Sequence, residues 1–226
     1  LLIGPPGSGK TMLARRLPTI LPDMVFEEII EVTQIYSAAG LLGNRAAISQ
    51  RPFRAPHHTI TDTGLVGGGN FPRPGEVSLA HRGVLFMDEF PEFGRQALES
   101  LRQPLEDGHV TISRVASSLT FPCSFMLIAA MNPCSDVFIG SGLGVHCTDI
   151  ERRKYYSRLS RPLLDRIDIQ IEVPAVKYQD IVGRPPGESS AEIKKRVSAA
   201  RKIQLERFKG KKILSNSQMS SRDLGQ

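Results

Sequence analysis

Leu1-Leu2-Ile3-Gly4-Pro5-Pro6-Gly7-Ser8-Gly9-Lys10-Thr11 opens the chain with a short apolar run, a glycine-rich turn and a lysine-threonine pair. Residues 4–11 satisfy the pattern G-x-x-x-x-G-K-[S/T] in full, between the end of a buried strand and a helix from about Thr11. Each residue type has a task there. Gly4, Pro5, Pro6, Gly7, Ser8 and Gly9 make a turn whose backbone N–H groups face inward around nucleotide phosphates, and the helix N-terminus adds partial positive charge. Lys10 supplies a mobile cation, and the Thr11 hydroxyl suits magnesium. Strand, turn and helix agree, so a chance glycine-rich turn is the weaker reading. The helix is expected to end or kink at Pro18, which has no backbone donor.

A magnesium nucleotide site needs a carboxylate at the end of a neighbouring strand. Gly83-Val84-Leu85-Phe86-Met87 is an apolar run ending in Asp88-Glu89, the arrangement of a Walker B segment. Asp88 is expected to hold the magnesium-bound water and Glu89 to activate the attacking water, a division that gives hydrolysis rather than transfer to a hydroxyl. Phe125–Met131, seven consecutive apolar residues closed by Asn132-Pro133, predicts a further strand. Asn132 then stands where it can hydrogen-bond the γ-phosphate or its attacking water; capping a turn before Pro133 is an equal alternative. With no Asn-Lys-x-Asp pattern anywhere, the nucleotide is read as ATP rather than GTP.

Ile167-Asp168-Ile169-Gln170-Ile171-Glu172-Val173 alternates, which predicts a strand with one solvated face or at an edge. Apolar runs with helical stretches between them give an α/β class: a three-layer P-loop NTPase with a central parallel sheet. Ala97–Glu106 is a helix candidate, and Val110–Ser113 with Ser118–Phe121 predicts a hairpin turning near Val115-Ala116. Arg51–Gly83, rich in glycine and proline, is expected to be mostly irregular. Gly183–Ser190 has the composition of a linker, and Ala191–Phe208 predicts a helix with Ile193, Val197, Ala200 and Ile203 on one stripe. The expected division is therefore a nucleotide-binding domain over 1–183, with a linker and the start of a small helical lid over 184–226.

The 226 residues are 40% hydrophobic and 23% charged, enough for a real core, and no apolar run approaches the roughly 18 residues of a membrane span. No membrane association or export signal is read. Residues 1–150 carry 11 Lys+Arg against 14 Asp+Glu, and residues 151–226 carry 18 against 9, so the two parts stand at −3 and +9. A concentrated positive field favours polyanions through counterion release, which makes DNA the leading partner. A solvated lysine-rich helix near Lys194–Lys212 is the equal alternative on charge alone. Cys123, Cys134 and Cys147 are too few for a disulfide framework, which points to a reducing compartment, the cytoplasm.

Walker A at Gly4–Thr11, Walker B at Val84–Glu89, Asn132 and Leu163-Leu164-Asp165-Arg166-Ile167-Asp168 together resemble the AAA+ ATPases. Arg51-Pro52-Phe53-Arg54-Ala55-Pro56-His57-His58, Gly67-Gly68-Gly69 and Pro74-Gly75-Glu76-Val77-Ser78-Leu79-Ala80-His81 are similar, more narrowly, to the magnesium chelatase-like family in its competence-protein branch. The likeness runs over nearly the whole chain. It implies a hexameric ring with ATP between subunits, the 110–121 hairpin as a pre-sensor-1 insertion facing the pore, and Asn132 as sensor 1. It also implies that Arg166 reaches a neighbour's site as an arginine finger, with Arg161 a weaker candidate and a surface ion pair with Asp165 or Asp168 the plainer alternative.

The resemblance further implies a fragment. The family's N-terminal domain would precede Leu1, and its sensor-2 arginine would follow Gln226, since Arg222 falls too early. Relatives carry paired cysteines that resemble a metal loop; here Cys134, His146 and Cys147 remain, short of four zinc ligands unless Asp136 contributes, so zinc is disfavoured and Gly140–Gly144 reads as a flexible loop. His57-His58, His81 and His109 are expected to pack or hydrogen-bond rather than react. The leading function is ATP hydrolysis driving movement on DNA, and the resemblance implies branch migration during uptake and recombination as the task. A motor subunit for metal insertion into a tetrapyrrole and a nucleotide-gated assembly module without turnover are the alternatives.

Overall fold

A computed structural model describes residues 1–69, 72–114, 117–134, 147–175, 187–211, 213, 215–220 and 223. The chain divides into two compact units, Leu1–Pro18 with Met24–Gly183, and Thr19–Asp23 with Arg184–Gln226. The first is built on a five-stranded sheet of β1 (Leu2–Ile3), β2 (Phe53–Arg54), β5 (Val84–Met87), β8 (Met126–Met131) and β9 (Ile171–Glu172). Their order across the sheet is β2-β5-β8-β1-β9, and every pairing is parallel. This is the α/β architecture with a central parallel sheet that the sequence predicts.

Burial explains which runs became strands. All four residues of β5 are buried, as are Ile128–Met131 of β8, so these apolar runs lie at the sheet centre, covered on both faces. Around them Leu65, Val77, Phe90, Leu98, Leu101 and Leu163, all fully buried, complete the main core, each contributing about 1.5–3 kcal/mol on leaving water. The alternating run at 167–173 forms less strand than expected. Only Ile171–Glu172 pairs, at the sheet edge, where Ile169 and Ile171 remain exposed.

Helix α1 (Lys10–Ile20) does not end at Pro18: that residue falls in its last turn. The candidate helix at 97–106 is two helices, α5 (Arg95–Ser100) and α6 (Arg102–Asp107). Pro104 cannot donate to the carbonyl of Ser100, so the ladder is interrupted one turn earlier, at Leu101. The hairpin pairs β6 (His109–Arg114) with β7 (Ser117–Pro122), Val110 and Ile112 turned to the core; its turn, 115–116, lies outside the described residues.

Residues 51–69 and 72–83 are more ordered than their composition implies. They contain β2, α3 (Asp62–Val66), the small antiparallel pair β3 (Gly67–Gly68) and β4 (Arg73–Pro74), and α4 (Glu76–Leu79). Ion pairs fix them to each other and to α2 (Phe26–Ala38): Arg54 bonds Glu76 through two nitrogens at 2.6 and 2.7 Å, and Arg51 reaches Glu28 at 2.9 Å. His81 is buried among these groups, its Nδ1 accepting from the backbone of Ser124 at 3.0 Å, so Nε2 carries the proton toward Glu31. Burial pushes His81 below the ordinary histidine range, which favours that neutral form.

Ahead of β9 lie α7 (Asp149–Tyr156) and α8 (Arg161–Leu164). The second unit holds α9 (Ser190–Arg207), started by a reciprocal cap in which Ser189 and Glu192 each satisfy the other's backbone N–H. Lys194, Lys195, Arg196 and Lys202 lie along it, and no residue of α9 is buried. Of the apolar stripe expected there, Ile193 and Val197 are half-buried and Ile203 is 61% exposed. Among the described residues no helix is long and apolar enough to cross a membrane.

Candidate functional site

Four strands deliver polar residues to one edge of the sheet, because parallel strands all end on the same side. Residues 4–9 follow β1, Asp88 and Glu89 follow β5, Asn132 follows β8, and His57-His58 lie beyond β2. In open α/β sheets the crevice outside the carboxyl ends of the strands is where ligands bind. Gly7 and Gly9 take φ of +76° and +88°, a region open to glycine, and this lets the turn wrap back onto α1.

Lys10 is 7% exposed and donates to the carbonyls of Gly4 at 2.7 Å and Pro5 at 2.9 Å, and to Asn132 Oδ1 at 3.0 Å. An ammonium has only donors, so the amide atom it touches must be the oxygen, which leaves the Asn132 NH2 group to donate elsewhere. Desolvation pushes Lys10 below the ordinary lysine range, and the charge of Asp88 opposes that shift. The side chain is thus a buried cation held by neutral oxygens. The Tyr155 hydroxyl donates to the Asn132 carbonyl at 2.9 Å, fixing the residue's backbone against α7.

Thr11 Oγ1 donates to Asp88 Oδ2 at 2.7 Å, a contact to a charged acceptor of the kind that contributes about 1.5–3 kcal/mol. Hydroxyl and carboxylate oxygens side by side suit a hard dication such as magnesium, which takes oxygen ligands and keeps several of its waters. Glu89 has φ +52° and ψ +44°, a left-handed conformation uncommon for a residue with a side chain, and its N–H donates to Asp88 Oδ1 at 3.0 Å. Its carboxylate is 2.9 Å from His58 Nδ1, and His58 stacks at 4.1 Å on His57. His58 thus pairs with a residue outside the 51–83 segment, the one assigned to water activation. That contact depends on β2 lying beside β5, which no local pattern discloses.

An open cleft beside these groups is lined by Glu89, Asn132, Cys134, Cys147, Tyr155 and Arg158. Arg158 spans it to Glu92 at 2.7 Å. Cys134 and Cys147 are joined by a disulfide, a pairing that the cysteine count did not suggest. With both sulfurs bonded to each other, neither is a thiolate ligand, and no cluster able to hold a metal occurs among the described residues; Asp136, His146 and the 140–144 loop lie outside them. Arg166 pairs with Glu106 through Nε at 3.0 Å, rather than with Asp165 or Asp168, and stands apart from the groups around Lys10 in this single chain. Arg161 opens α8 and has no contact with them either among those described.

Residues 1–181 match the family described as magnesium chelatase, subunit ChlI, and residues 187–226 match its C-terminal counterpart. The chain is 47% identical over 213 residues to the uncharacterized protein YifB of Escherichia coli K12, spanning 92% of this chain and 41% of that protein. It is 45% identical over 226 residues to the competence protein ComM of Haemophilus influenzae, spanning 99% and 44%. The chain thus spans less than half the length of these curated relatives. Among solved structures, a complex between subunits BchI and BchD of magnesium chelatase from a cryo-EM reconstruction superposes with a TM-score of 0.54, at 20% identity, over 93% of this chain and 62% of that one. At that identity the likeness concerns the fold.

Proposed function

The chain belongs to the magnesium chelatase subunit ChlI family, in the branch typified by ComM and YifB, and we propose that it is the ATP-hydrolysing module of an AAA+ motor that acts on DNA. The observation that carries the hydrolytic reading is the convergence of Lys10, Thr11–Asp88, Glu89 and Asn132 on one sheet edge. Residues 4–9 wrap the phosphates, and Lys10 exchanges its carbonyl partners for their oxygens. Thr11 and Asp88 would hold magnesium, whose charge neutralises the phosphate oxygens when it is bound. Asn132 donates its amide N–H to the γ-phosphate or to the attacking water. Glu89 leaves His58, accepts a proton from that water and so makes it a nucleophile. Arg166 leaves Glu106 to enter the site of the next subunit in a ring, and the +9 of residues 151–226 faces the DNA. We place this work in the cytoplasm.

The name of the Haemophilus relative, a competence protein, supports DNA as the client, with branch migration in uptake and recombination the fitting task. The family description favours a second client, a tetrapyrrole receiving a metal, and a large porphyrin-binding partner subunit would then exist. A module that binds ATP without turnover would have no use for Glu89 beside the phosphates. Titration of the full-length protein with single-stranded and branched DNA tests the client. Binding at moderate salt, with log affinity falling linearly against log salt as several phosphates are neutralised, is the expected result. No binding at moderate salt would contradict the DNA reading.

A further inference from the structure

The geometry points to Cys134 and Cys147 as a thiol–disulfide exchange site in the wall of the open cleft beside Glu89 and Asn132, with low-molecular-weight thiols and disulfides as its reactants. The two cysteines, 13 positions apart, are bonded to each other, both are half-buried, and both residues line the open cleft. Cys123 is the internal contrast. It is 1% exposed, its thiol is pushed up to about 12 by burial, and its sulfur faces the carbonyl of Pro104. A reagent that reaches the pair has no path to Cys123 in the folded chain.

The bond is not a staple for a domain without a core. The main apolar cluster of the first unit includes Cys123 and neither of the bonded cysteines. Small secreted domains need disulfides because they lack such a core, whereas accessible disulfides in proteins that have one are the reversible, redox-sensing kind. Formation proceeds in two displacements. One thiolate attacks a small disulfide RSSR and expels RS−, giving a mixed disulfide, and the second thiolate displaces the other RS−. The two protons of the thiols leave with the two RSH, and reduction runs the same steps in reverse.

The position of the pair gives the exchange a consequence. Cys134 is two residues beyond Asn132, and Cys147 directly precedes Thr148, the N-cap of α7. Tyr155 of α7 bonds back to the Asn132 carbonyl. Oxidation thus closes a ring from Asn132 through the disulfide and α7 to Tyr155, and holds Asn132 in register with Lys10; reduction leaves the hydrogen bond alone to do so. Resting on the hydrolytic reading above, the oxidised protein turns ATP over faster than the reduced one, by about threefold or more, at equal nucleotide affinity. The preorganised amide is the reason.

The test equilibrates full-length protein in glutathione buffers of graded ratio, alkylates it, and maps the label by peptide mass spectrometry, with ATP turnover measured on the same samples. Reversible, paired loss of label at Cys134 and Cys147, Cys123 labelled only after unfolding, and a rate that follows the oxidised fraction and becomes indifferent to the buffer in Cys134→Ser and Cys147→Ser are expected. Label that never changes, independent titration of the two sulfurs, or protein isolated with stoichiometric zinc on both thiols would overturn the exchange site. Equal or lower turnover in the oxidised state would overturn its consequence. Reversible pairing with no turnover in any state would instead sink the hydrolytic reading.

Discussion

Glu89→Gln lowers ATP turnover by about 10²–10⁴-fold, the range a positioned general base contributes, while the affinity for ATP stays within about threefold of wild type. The Glu89 carboxylate pairs with His58, whereas the groups proposed to meet the phosphates and magnesium pair among themselves: Lys10 bonds Gly4, Pro5 and Asn132, and Thr11 bonds Asp88. The glutamine keeps the shape of the side chain and an oxygen for His58 to approach, so the turn at φ +52° is expected to persist. What it loses is the capacity to take a proton from water. The expected product is an ATP-loaded protein that does not turn over, visible as retained radiolabelled ATP after gel filtration. Equal loss of binding and turnover would mean that Glu89 holds the turn together and does no chemistry.

Lys10→Ala removes nucleotide binding. Each hydrogen bond from the ammonium to a phosphate oxygen contributes about 1.5–3 kcal/mol, so losing two weakens binding by about 100-fold or more. The fold should survive, because β1 stays paired with β8 and β9, and the Thr11–Asp88 contact does not pass through Lys10. Isothermal titration with ATP and a thermal melt separate the two effects. An unchanged melting temperature with no heat of binding is the expected pair of results; retained affinity would show that the lysine stays with its carbonyls and never meets the nucleotide.

The contrast between these variants follows from how the site is written in the chain. Residues 4–11 are legible from sequence because phosphate binding dictates each residue type and its spacing, and Val84–Glu89 because a fully buried strand must end where its carboxylate is wanted. β2 was not legible, since a two-residue strand between Pro52 and Pro56 has no periodicity and takes its order from β5. The spacing of Ile29, Val32, Ile35 and Tyr36 is a helical stripe that would have placed α2. Arg51, Arg54 and His81, within the strings that carry the family likeness, prove to hold residues 51–83 together through Glu28, Glu76 and Glu31. The His58–Glu89 pair and the Tyr155–Asn132 bond join segments 31 and 23 positions apart in sequence; the first depends on β2 lying beside β5, the second on α7 packing back against the end of β8.

The most direct test of the motor reading is steady-state ATP turnover by the full-length protein, alone and with single-stranded or branched DNA, with Lys10→Ala as the control. Turnover that rises severalfold with DNA and is absent in the lysine variant is the expected result. A rate indifferent to DNA would contradict it and move the client to a protein or a tetrapyrrole.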